Sequence, residues 1–66
     1  MFAERLKALR SEKNMTQAQL AEALDTTQRK ISYWESKKIE PDLTAIMKLC
    51  DYFCISSDYL LGRTDY

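Results

Sequence analysis

The stretch TQAQLAEALDTTQRKISYWE, Thr16 to Glu35, decides how this chain folds. Thr16-Gln17-Ala18-Gln19 has the spacing of a capping box. A Thr16 hydroxyl accepts from the amide three residues on, and the Gln19 side chain returns to the Thr16 N–H. Met15 and Leu20 then fall on the staple positions either side of that start. Leu20, Ala21 and Leu24 give the helix a narrow inner face that ends near Leu24, and Ala21 is small enough to admit a close neighbour. After Asp25-Thr26, Thr27 is an N-cap for a second helix from Gln28 to Glu35. Only Ile31 and Trp34 look inward from it. Gln28, Arg29, Lys30, Ser32, Tyr33 and Ser36 look outward. A short helix with two apolar anchors and a face of long hydrogen-bonding side chains is built to present that face, because a helix serving stability alone would bury more.

Working outward, Phe2, Leu6 and Leu9 recur at helical spacing, with Ala3 filling in, and predict a helix over about Phe2 to Lys13. Ser36 to Glu40 reads as a loop closed by Pro41. Asp42 caps a helix over about Leu43 to Phe53, whose Leu43, Ile46, Met47, Leu49, Cys50 and Phe53 predict a wide apolar face and the spine of the core. Ser56 caps a last helix, about Ser57 to Leu61, with Ile55 and Leu60 as its staple pair, and Gly62 supplies the left-handed stop. No run alternates as a strand does. The expected architecture is all-α, five helices in one domain over residues 1–62, with 63–66 as a tail.

Composition narrows the function. Sixty-six residues make one small domain with a thin margin of stability. No apolar run is long enough to span a membrane, and the N-terminus lacks a signal-peptide pattern, so a cytoplasmic location is expected. The two cysteines, Cys50 and Cys54, read as small reduced core residues on one helix face. With no histidine and no further cysteine, neither a metal site nor a cofactor is expected. The same lack, with a single glycine, leaves no visible catalytic machinery. Net charge is zero, but it is unevenly spread. Residues 28–38 carry Arg29, Lys30, Lys37 and Lys38 against Glu35, a net of +3, and residues 39–66 carry a net of −3. A local positive field is therefore available without global basicity.

Two short helices about three residues apart match the helix-turn-helix unit, whose second helix enters the DNA major groove. The ordered set Leu6, Leu9, Arg10, Thr16-Gln17, Leu20-Ala21, Leu24, Ile31, Trp34-Glu35, Pro41, Leu43, Leu49 and Asp58-Tyr59-Leu60-Leu61-Gly62 resembles the phage-repressor and Cro-type (XRE-like) helix-turn-helix family. The resemblance covers about residues 2–62 and implies a compact lambda-repressor-like fold, sequence-specific binding to double-stranded operator DNA, and a transcriptional regulator, expected to be a repressor.

On that resemblance Thr27, Gln28, Arg29, Ser32 and Tyr33 are expected at base edges. Glutamine pairs bidentately with adenine and arginine with guanine. Gln17, Lys30, Ser36, Lys37 and Lys38 are expected at phosphates, with Gln17 also bracing the recognition helix. Arg10 and Glu35 are expected to pair, and with Ile31 and Trp34 to support that helix from beneath. Each residue also has a plainer reading: Gln17 as an early-turn helix residue, Arg29 and Lys30 as solvating charges, Tyr33 as a side chain packed on its own domain. Two departures from the family pattern stand out, Asp25 and Lys37, where glycine is usual. Aspartate tolerates the left-handed conformation. Lysine there costs about 1 kcal/mol if the backbone is left-handed, and adds a phosphate ligand.

One module of this size buries a modest DNA interface, so a homodimer on DNA is expected, with Tyr52, Tyr59, Leu61 and Tyr66 as the contact surface. Two alternatives accompany the regulator reading. One is an antitoxin that binds both an operator and a toxin protein. The other is a protein-interaction module that has lost DNA binding.

Overall fold

The computed structural model describes residues 1–65; Tyr66, and with it that residue's expected part in a dimer surface, lies outside the described residues. The chain runs α1 (Phe2–Glu12), α2 (Gln17–Ala23), α3 (Gln28–Glu35), α4 (Leu43–Phe53) and α5 (Ser57–Leu60). Among the described residues there is no strand, and no helix is long and apolar enough to cross a membrane.

Four of the helices start where the cap residues say they should. The Thr16 hydroxyl accepts from the Gln19 amide at 3.1 Å, and the Gln19 side chain accepts the Thr16 N–H at 2.8 Å, closing the capping box. Thr27, Asp42 and Ser56 accept from Lys30, Ala45 and Tyr59 in the same way. Each satisfies an amide that the first helical turn leaves without a partner.

The helix ends share one device that the sequence only half displays. Asn14, Asp25, Lys37, Cys54 and Gly62 all adopt positive φ. In each case the following amide reaches back five residues to a helix carbonyl: Met15 to Arg10, Thr26 to Ala21, Lys38 to Tyr33, Ile55 to Cys50 and Arg63 to Asp58. This is the Schellman closure, which consumes carbonyls the last turn leaves open. Glycine occupies only the last of these positions. Asp25 and Lys37 take the left-handed conformation expected of their positions, and Asn14 and Cys54 take it as well. Cys54 is therefore no core residue: it is exposed and stops α4, while Cys50 is half-buried and both thiols are free. Burial raises the Cys50 thiol pKa.

Leu6, Leu20, Ile31, Leu49 and Leu60 are fully buried and bring one residue from each helix to the centre. Trp34, Phe53, Leu9, Leu24, Ala21 and Ala45 surround them. α3 packs on α1 and α2, while α5 packs on α4 and α1. One expectation fails here. α4 turns Ala45, Leu49 and Phe53 inward, with Ile46 and Cys50 at the margin, and leaves Leu43 and Met47 in solvent, 72% and 59% exposed. The buried stripe follows the i, i+4, i+8 line Ala45, Leu49, Phe53. Such a stripe is narrower than the apolar composition of α4 suggests.

Candidate nucleic-acid interface

α3 is fixed from below by three buried residues, Ile31, Trp34 and Glu35. The first two are apolar anchors. Glu35 is a buried charge and must be paired to be tolerated. Arg10 of α1 supplies the pair as a two-pronged fork, Nε donating to Oε2 at 2.8 Å and Nη2 to Oε1 at 3.0 Å. The remaining terminal nitrogen, Nη1, donates to the Met15 carbonyl at 2.8 Å, tying down the segment that leads into α2. Gln17, opening α2, donates from Nε2 to the same Oε1 at 3.1 Å. One carboxylate thus joins three helices. The Arg10 guanidinium has its pKa raised above the ordinary value, first by its hydrogen bonds to Glu35. Arg10 and Glu35 meet here as a pair, and Gln17 bonds the same carboxylate.

The opposite side of α3 faces outward. Gln28, Arg29 and Lys30 are exposed, while Ser32 and Tyr33 are half-buried. Gln28 with Ser32, and Arg29 with Tyr33, are i, i+4 pairs and share one face of the helix. Thr27 is exposed, but its hydroxyl is already engaged as the cap of α3. The loop after α3 lies against this face. Lys38 holds its ammonium 5.4 Å from the centre of the Tyr33 ring. Ser36 is exposed, and its hydroxyl donates to the Tyr33 carbonyl at 3.3 Å. Tyr33 is therefore partly covered by its own loop, with Lys38 over its ring.

Lys37 is the exception. Its ammonium lies 2.8 Å from the Glu4 carboxylate of α1, so this cation carries an internal partner, whereas Lys38 has no carboxylate partner among the described residues. Lys37 and the N-terminal ammonium hold the Glu4 carboxyl down to about 2. Nothing in local sequence marks Glu4, since it lies far from Lys37 along the chain and the pair exists only once α1 packs beside α3.

The helix-turn-helix family profile matches residues 6–60 of the chain. The chain is 42% identical over 61 residues to the HTH-type transcriptional activator BcrR of Enterococcus faecalis, covering 92% of this chain and 30% of that protein. It is 39% identical over 64 residues to the SPbeta prophage-derived HTH-type transcriptional regulator YonR of Bacillus subtilis (strain 168), covering 97% of this chain and 59% of that one. The chain thus spans well under two thirds of either relative. Among solved structures, a transcriptional regulator from Listeria innocua superposes with a TM-score of 0.87 at 35% identity, over 94% of this chain and 58% of that one. The P22 c2 repressor, solved in complex with a synthetic operator, superposes with a TM-score of 0.84 at 30% identity, over 91% of both chains. These relatives are named as regulators of transcription, and the antitoxin expectation finds no support among them. With its profile match, its cap spacing and its pinned third helix in agreement, the chain belongs to the helix-turn-helix family, in the lambda-repressor-like fold of the phage repressors.

Proposed function

We propose that this domain binds double-stranded DNA sequence-specifically and regulates transcription, with α3 in the major groove. The observation that carries the reading is the two-sidedness of α3. Ile31, Trp34 and Glu35 hold it rigidly from below, while Gln28 and Arg29 stand free in solvent on a face flanked by Lys38. Pre-organisation of this kind lowers the ordering cost of binding. Base reading is assigned to Gln28 and Arg29, with Ser32, Tyr33 and Thr27 at the margin of that face. Lys30, Ser36 and Lys38 are assigned to phosphates, which set register without reading sequence. Gln17 sits at the start of α2, where a helix N-terminus favours a phosphate. Repression is the simplest output, because a domain occupying a promoter excludes other proteins from it. The working location is the cytoplasm, where an operator is accessible.

A single module of this size buries about 600–1,000 Å² on DNA, so tight binding calls for two copies on half-sites about 34–36 Å apart. The surface proposed for that contact shifts from the one the sequence suggests. Tyr59 is half-buried beneath the Arg5 guanidinium, which lies 4.2 Å from its ring centre. Among the described residues the large exposed apolar side chains are Met1, Ile39, Leu43, Met47 and Leu61, with Tyr52 further along α4.

Selection from a random duplex library tests the function directly. Enrichment of a two-fold symmetric site supports both DNA reading and pairing of copies. No enrichment, with no salt-dependent affinity for any duplex, favours a protein-interaction module instead. Gln28→Ala is expected to cost about 1–3 kcal/mol on the selected site and much less on random DNA. Equal losses on both would remove Gln28 from base reading.

A further inference from the structure

Lys37 and Glu4 are 33 positions apart, yet their charged groups meet at 2.8 Å on the surface beside the DNA-facing loop. Both side chains are largely exposed, so the pair contributes little to holding the fold. The backbone beneath Lys37 is fixed all the same. Its φ is 66°, its amide donates to the Trp34 carbonyl at 3.3 Å, and the next amide closes onto Tyr33 at 2.9 Å. The loop thus holds a lysine in a conformation that suits glycine better, with its ammonium on a carboxylate. A carboxylate oxygen and a phosphate oxygen make the same demand on that ammonium.

Resting on the DNA-binding function proposed above, we propose that Glu4 is an internal competitor for DNA phosphate at Lys37 and an affinity-setting residue of the interface. Lys37 reaches a phosphate only by leaving Glu4. The exchange replaces one ion pair by another and leaves the Glu4 carboxylate with the N-terminal ammonium, 3.0 Å away, as its remaining cation. Lys37 therefore adds less to affinity and to counterion release than Lys38, which has no carboxylate partner among the described residues. Glu4 restrains sequence-independent binding, so a larger share of the affinity depends on base contacts.

The test is a salt series of duplex titrations, read by fluorescence anisotropy on a random-sequence duplex. The proteins are wild type, Glu4→Gln, Lys37→Ala and the double variant. Glu12→Gln serves as a control for loss of one negative charge, because Glu12 lies at the other end of α1, about 12 Å along the helix axis. Glu4→Gln is expected to tighten binding about 3- to 10-fold at low salt, with the gain fading as salt rises. In the Lys37→Ala background the gain should fall to that of Glu12→Gln. A gain of equal size with and without Lys37, or one no larger than the control, overturns the proposal. The Glu4 carboxyl, titrated by NMR in the free protein, gives an independent readout. It is expected near 2 in the wild type and higher in Lys37→Ala, where the N-terminal ammonium still holds it below the ordinary value. If it does not move, the pair is absent and the proposal falls. If the wild type binds no duplex while Glu4 still titrates near 2, the DNA-binding function fails and takes this proposal with it.

Discussion

Two ion pairs tie α1 to the recognition helix and its loop, and they differ in every respect except chemistry. Arg10–Glu35 lies beneath α3, with side chains 19% and 2% exposed, and each partner makes further hydrogen bonds. Glu4–Lys37 lies at the rim, with side chains 60% and 66% exposed. A buried pair resists breaking because the partner left behind is a charge without water. An exposed pair gives up little when broken, because water and salt replace either partner. The first therefore fixes where the recognition face points, and the second leaves a charge available for exchange.

The largest effect is expected where the buried pair is cut. Arg10→Ala leaves the Glu35 carboxylate beneath α3 with Gln17 as its remaining partner, a loss of about 3–5 kcal/mol. That is a large share of the roughly 3–10 kcal/mol available to a domain of this size. Urea denaturation measures it. Converting both residues together, Arg10→Met with Glu35→Leu, should recover most of the stability, since no charge is then left unpaired. If the double variant is no better than the single one, packing rather than charge holds the cluster.

A smaller effect separates the two loop lysines. Lys38→Ala should flatten the plot of log affinity against log salt by about 0.9, the contribution of one phosphate. Lys37→Ala should flatten it by distinctly less, because its cation is already partnered. Equal slopes would remove the contrast between the two positions.

The smallest effect is on stability against acid. The folded Glu4 pKa, about 2, lies below its ordinary 4.5. The pair's contribution is thus complete above 4.5 and is lost as pH falls through about 2. Between those values the wild type should lose more stability than Glu4→Gln, as followed by thermal melts. Parallel melting curves would show that the surface pair is too well screened to matter for the fold.

Helix starts were legible because a cap is local: Thr16, Thr27, Asp42 and Ser56 each bond an amide three residues away. The extent of α3, Gln28 to Glu35, followed from one such cap and from Ile31 and Trp34. Helix stops were less legible. Lys37 and Cys54 carry side chains into a conformation that local preference assigns to glycine or asparagine, and the closure bonds hold them there. The inner face of α4 departs from its apolar pattern for a related reason. Apolar periodicity permits Leu43 and Met47 to face inward, but the packed helix turns the line of Ala45, Leu49 and Phe53 to the core instead.

Taken alone, the sequence determined the five helices, the outward polar face of α3 and, through the family resemblance, the partnership of Arg10 with Glu35. Those features rest on spacing within a turn or two, or on an ordered residue set. Only the tertiary structure decided that Glu35 gathers Arg10 and Gln17 at one carboxylate, that Leu43 and Met47 stay in solvent, and that Glu4 holds Lys37. Each of these depends on the direction in which one helix lies against another, and packing fixes that direction from residues distant along the chain.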